Sequence, residues 1–302
     1  MKPFALVLLL ALAAGPACAQ TIDDAAKAYA SGDYKTALTI ATPLAEKNDP
    51  AALALLGAAS FTGNGMQQDV NKAVEFFRKA AEQGHPGAQF SLGAIYLSGK
   101  LGEPDMAEAR KWMQASAEGG NPDAQYNMGL FASGAAGGEP DWELAAAWFG
   151  KSAAQNHPEA LYSLAVLTSE GKGVKADAVE AGKIMLKAAI LGHPDACLDY
   201  GIMAFRGAGM QKNEEVGAKW IRVAAQYGNP VAQNRIALIL ANGIGLPTDP
   251  VEAVKWHLLA SKAGRADDWL ERYVAGVSPD IKAEAEARAA AFQPKAPPAP
   301  GG

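Results

Sequence analysis

Apolar and polar positions along this chain return at one fixed interval. A proline opens each cycle at Pro50, Pro86, Pro122, Pro158, Pro194 and Pro230, each 36 residues after the last. Two residues past it stands Ala52, Ala88, Ala124, Ala160, Ala196 or Ala232. Five further on comes a small residue, Gly57, Gly93, Gly129, Ala165, Gly201 or Ala237, preceded by Leu56, Leu92, Met128, Leu164, Tyr200 or Ile236. The second half of each cycle carries Ala73, Ala109, Ala145, Ala181, Gly217 or Ala253. A bulky position follows at Phe76, Trp112, Trp148, Ile184, Trp220 and Trp256, expected in the core, and then an Ala-Ala-like pair such as Ala80-Ala81. This spacing predicts two helices per cycle. The period predicts an array in which each unit buries its apolar face against its neighbours.

The helix boundaries are equally regular. Asp49, His85, Asn121, His157, His193 or Asn229 precedes the proline. Asn and Asp are strong N-caps, and proline suits the first helical position because its missing N–H has no partner to lose there. The histidines read as substitutes for those caps, not as metal ligands. Glycine-rich turns such as Gly63-Asn64-Gly65, Gly171-Lys172-Gly173, Gly207-Ala208-Gly209 and Gly243-Ile244-Gly245 end the first helix. Asp69, Asp105, Asp141, Asp177, Asn213 and Asp249 then cap the second. It stops at Gly84, Gly120, Asn156, Gly192, Gly228 or Gly264, where a left-handed residue is needed.

The cycles fill residues 49–264. Residues 20–48 read as an N-terminal helical cap, with helices over Ile22–Ala30 and Tyr34–Lys47. Residues 265–292 read as a C-terminal helical cap, in which Trp269 and Leu270 cover the last repeat and Ser278-Pro279 starts a final helix through Phe292. The Pro- and Gly-rich residues 293–302 are expected to lack order. Residues 1–19 have the form of a secretory signal peptide. Lys2 precedes the apolar run Phe4–Ala14, and Ala17-Cys18-Ala19 offers a small-x-small cleavage site before Gln20. The run is short for a membrane span, and Gly15-Pro16-Ala17 lacks the aliphatic residue usual before a lipidated cysteine.

Composition then narrows the partner. The chain of 302 residues has a formal net charge of −5 and no basic run, which argues against nucleic acid or an anionic membrane surface. Of its two cysteines, Cys18 leaves with the signal, so Cys197 has no internal partner and reads as a small buried apolar residue on a helix.

The unit HPxAxxxLGxxYxxGxGxxxDxxxAxxWxxxAAxxG, followed closely by HPGAQFSLGAIYLSGK…DMAEARKWMQASAEGG, resembles the Sel1-like repeats, relatives of tetratricopeptide repeats. The resemblance covers residues 49–264. It implies an all-α fold, an α/α solenoid (superhelix) of six 36-residue helix-turn-helix repeats with helical caps. It also implies protein–protein interaction rather than catalysis, without cofactor or metal. In tetratricopeptide-like superhelices the first helices line the concave face. The exposed stripe there would contain Phe90, Tyr126 and Tyr162, continuing to Leu198 and Asn234. A parallel row would contain Leu130, Val166 and Ile202, continuing to Leu238. The expected partner is an envelope or periplasmic protein, bound by a periplasmic or secreted chain that has no membrane insertion after signal cleavage.

Two other functions stand as alternatives to this one. Ser169-Glu170-Gly171-Lys172 matches the SxxK of penicillin-recognising enzymes, but Gly171 interrupts the helix and the partner motifs KTG and SDN are missing. The cysteine-rich secreted branch linked to β-lactam or peptidoglycan chemistry staples each repeat with a cysteine pair, which this chain does not have. A secreted host-directed factor is the other alternative. The GxG turns are not nucleotide loops, because no strand precedes them. Three of the four histidines share one repeat position and so lie too far apart to chelate one ion.

Overall fold

The computed structural model describes residues 21–135 and 137–296; the segment read as a signal peptide lies outside them. Sixteen helices and no strands occur among the described residues. The chain divides into two compact units, one ending at Trp112 and the other beginning at Met113. The first contains α1 (Ile22–Ala30), α2 (Tyr34–Glu46), α3 (Pro50–Thr62), α4 (Val70–Glu82), α5 (Pro86–Leu97) and the start of α6 (Met106–Glu118). The second contains the end of α6, then α7 (Pro122–Ala132), α8 (Trp142–Ala154), α9 (Pro158–Glu170) and α10 (Ala178–Ile190). It continues through α11 (Pro194–Arg206), α12 (Glu214–Gln226), α13 (Pro230–Asn242), α14 (Pro250–Lys262), α15 (Asp268–Gly276) and α16 (Pro279–Ala290). Within each unit a helix packs chiefly on its neighbours in sequence, the local contact pattern of a repeat array.

The capping residues behave as their chemistry requires. Asp49, Asn121 and Asn229 accept the N–H of Ala52, Ala124 and Ala232 at 2.9, 2.8 and 3.0 Å. His85, His157 and His193 do the same through Nδ1, to Ala88, Ala160 and Ala196, at 3.1, 3.3 and 3.2 Å. An Nδ1 that accepts carries no proton, so each imidazole caps only as the neutral ring protonated at Nε2. The alanines whose N–H is capped are fully buried. A larger side chain at that point would hold the helices apart.

The small residue five positions later makes room for one specific side chain. A Cβ on Gly57 would stand 2.7 Å from the Phe77 ring, one on Gly129 would stand 2.5 Å from Phe149, and one on Gly201 would stand 2.8 Å from Ile221. These contacts show that the core register of the second helix is one residue later than expected. Phe77, Met113, Phe149, Met185, Ile221 and His257 are all buried. Of the bulky row expected in the core, Trp148 and Trp256 are buried, but Phe76, Trp112, Ile184 and Trp220 are only half-buried. Four of these rings sit beneath ammonium groups: Lys72 over Phe76 at 5.8 Å, Lys111 over Trp112 at 5.0 Å, Lys151 over Trp148 at 3.9 Å and Lys255 over Trp256 at 3.9 Å. The aromatic faces thus cover the core from outside, apolar below and cation-bearing above.

The second glycine of each turn has a further role. Gly173, Gly209 and Gly245 have positive φ, and a Cβ there would run into the backbone carbonyl of Trp142, Ala178 and Glu214 respectively. Each turn therefore lies directly on the start of the preceding repeat's second helix. At the C-terminal end Leu270 is fully buried, but Trp269 is 40% exposed, contrary to its expected covering role, and stacks on Tyr273 at 5.6 Å. Phe292 meets Trp256 edge-on at 5.3 Å. Residues 293–296 pass the C-terminal end of α12, where Lys295 donates its backbone N–H to the Gln226 carbonyl at 2.9 Å.

Candidate interaction surface

The first helices of the C-terminal unit bring five of the six expected surface residues onto one core. Tyr126 and Leu130 on α7, Tyr162 and Val166 on α9, and Ile202 on α11 are all half-buried and pack against the same apolar cluster. Leu238 on α13 continues the row. Phe90, on α5, is half-buried in the N-terminal unit.

The two tyrosines are not free rings. Tyr126 stacks on His157 at 5.1 Å and tilts against Phe149 at 5.7 Å. Tyr162 stacks on His193 at 4.5 Å, with ring planes only 14° apart, and its hydroxyl donates to Asp199 Oδ2 at 3.0 Å. Each ring therefore lies on the capping histidine of the next repeat. Burial raises the Tyr162 hydroxyl's pKa, and the Asp199 charge adds to the rise. Burial also raises the Asp199 carboxyl and lowers His193, favouring the neutral forms. His85 is lowered for the same reason. Polar ties run between successive caps: His157 Nε2 contacts Asp123 Oδ1 at 3.1 Å, and Asn229 donates to Asp195 Oδ1 at 2.8 Å. The hydrogen bond to His157 holds the Asp123 carboxyl below its ordinary range.

Other chemistry-bearing residues are also committed to packing. Gln89, Gln125 and Gln233 are buried and donate Nε2 to the carbonyls of Ala81, Ala117 and Ala225. Cys197 occupies the same repeat position. Its buried Sγ points at the Ala189 carbonyl at 3.5 Å, and burial pushes its thiol up to about 12. Lys172 of the SxxK match follows Gly171, whose φ of 71° ends α9; its ammonium pairs with Glu170 at 2.8 Å and lies 5.1 Å from the Trp142 ring centre. His257 is 1% exposed, with Nε2 on Glu271 Oε1 at 3.0 Å. Among the described residues no three His, Cys, Asp or Glu side chains converge where a metal ion could sit, and no helix is long and apolar enough to cross a membrane.

The first helices of this repeat solenoid also present a stripe of half-buried aliphatic side chains, Leu130, Val166 and Ile202. That geometry defines the class as an α-helical repeat protein. The Sel1 repeat model matches residues 50–85, 86–121, 122–157, 158–193, 194–229 and 230–264, and the chain belongs to the Sel1 repeat family, whose members generally mediate protein–protein interaction. It is similar to a protective antigen of uropathogenic Escherichia coli with an SLR fold, at 26% identity and a TM-score of 0.76, over 90% of this chain and 61% of the antigen. The chain thus spans less than two thirds of that protein's length. It is also similar to a Sel1 repeat protein of Oxalobacter formigenes, at 26% identity and a TM-score of 0.69, over 79% of this chain and 96% of that one. No curated protein matches the sequence.

Proposed function

We propose that this chain is an exported, periplasmic, non-enzymatic scaffold that binds a segment of an envelope protein along the first helices of its C-terminal unit and serves in envelope signalling. The observation that carries the reading is the row Leu130, Val166 and Ile202. These aliphatic residues are half-exposed at 36-residue spacing over one continuous core, whereas neighbouring polar groups are engaged in capping and stacking. Tyr126 and Tyr162 lie half-buried on the same helices, stacked on His157 and His193. Phe90 offers an equivalent patch on the N-terminal unit. The paired ammonium of Lys172 supports the non-enzymatic reading, because it is not offered to Ser169 as a base.

Joint replacement of Leu130, Val166 and Ile202 by Ala tests the proposal. The variant should keep its helical circular dichroism and lose the partner that co-purifies with the unaltered protein. Export is tested separately, by fractionation and N-terminal sequencing of the mature chain, which should begin at Gln20. The likeness to a protective antigen favours a second reading, a host-directed factor released from the cell. Recovery from culture medium instead of periplasm would select it.

A further inference from the structure

Between α11 and α13 the first-helix face opens into a hollow of about 220 Å³. Ile202, Phe205, Leu238 and Ile239 form its apolar walls, and Arg206 and Arg235 stand at its rim. A second hollow of about 310 Å³ adjoins it, shares Arg235 and Leu238, and adds Arg265. The result is an apolar notch with a guanidinium on either side and one between.

These three arginines are exposed, and among the described residues none of their side chains makes an ion pair or hydrogen bond. Some cations elsewhere on the chain are held by acids. Arg288 bonds Glu252 at 3.0 Å and Glu284 at 2.6 Å, and Lys183, Lys212 and Lys255 each pair with a nearby glutamate. Two acids stand near these cations: Asp267 lines the second hollow, and the Arg235 charge acts on Asp199. Asp199 accepts the Tyr162 hydroxyl, and Asp267 Oδ1 accepts the N–H groups of Trp269 and Leu270. On a chain of net charge −5, this is a local reversal of sign over an apolar floor.

We propose that this notch receives an acidic peptide segment of the partner, one bulky aliphatic or aromatic side chain flanked by Asp or Glu. The apolar side chain enters between Ile202 and Leu238. The carboxylates on either side take the guanidinium forks of Arg206, Arg235 and Arg265, whose planar donors match a carboxylate in pairs. The proposal rests on the scaffold reading above and specifies the chemistry of its partner. Because the contact relies on charge at an exposed rim, binding weakens as salt rises.

The test is selection of a phage-displayed random dodecapeptide library on the immobilised full chain, in parallel with the Arg206→Gln/Arg235→Gln variant. Both arginines are exposed and unpaired, so the variant should fold. Enriched peptides should carry Asp or Glu beside Leu, Ile, Phe or Met. Fluorescence anisotropy of a selected peptide should show at least a tenfold loss of affinity on the variant and a further loss at high salt. A neutral or basic consensus, equal binding to the variant, or no enrichment at all would overturn the acidic-segment proposal. The scaffold reading fails on different grounds, namely retention of the cellular partner by the Leu130/Val166/Ile202 alanine variant.

Discussion

Gly173 and Gly264 both have positive φ, yet their surroundings differ. A Cβ on Gly264 meets nothing within 4 Å, whereas one on Gly173 runs into the carbonyl of Trp142. Gly264→Ala should therefore cost only the left-handed strain, about 1–2 kcal/mol. Gly173→Ala should cost about 1–3 kcal/mol more, because the seam between repeats must also open. Urea denaturation of the two variants measures the difference. The capping histidines give a pH-dependent prediction. His85 and His193 cap as neutral rings, and burial lowers both from the ordinary value of 6.5. For His193, the nearby Asp195, Glu159 and Asp199 oppose the shift without reversing it. The stability from these groups is full above pH 6.5 and is lost as pH falls from there through the depressed folded values. Denaturation midpoints between pH 8 and 5 should fall with pH, and His193→Asn should shrink the drop while keeping the cap. His193→Ala should cost about 1 kcal/mol at pH 8. Cys197 should resist a thiol reagent in the native protein and react fully in urea, since its side chain is buried and its thiol is pushed up to about 12.

At the scale of the element, the second helices separate two adjacent bulky positions. Phe77 is 4% exposed and faces Gly57, while Phe76 is half-buried beneath Lys72. Phe77→Ala should cost about 3–5 kcal/mol, and Phe76→Ala distinctly less, as read from denaturation midpoints. The reverse order would place the core on the other register. The sequence made the caps and turns legible because N-cap, N1 proline and C-terminal glycine each have one physical role, repeated in step. It misplaced the core register in four of six second helices because aromatic residues recur more visibly than the row Phe77, Met113, Phe149, Met185, Ile221, His257, whose chemistry varies. Only the contact with a facing small residue reveals that row. The stacking of Tyr126 on His157 and Tyr162 on His193 was hidden likewise, since it joins residues 31 apart on different helices.

For the whole molecule, the period identified the repeat fold and its six units, because an array repeats its packing wherever it repeats its sequence. It could not reveal a feature that does not repeat. Arg206, Arg235 and Arg265 occupy three different repeat positions and come together only through the stacking of α11, α13 and the turn before α15. The proposed partner surface therefore combines a repeated row, Leu130, Val166 and Ile202, with a departure from the repeat at the arginine notch. The most direct test of the scaffold account is photo-cross-linking in living cells, with a benzophenone amino acid placed at Val166 or Ile202 on the first helices and, in parallel, at Lys187 on the exposed side of α10. The account predicts a discrete protein adduct from the first-helix positions and none from Lys187. An adduct from Lys187 alone, or from no position, would contradict it.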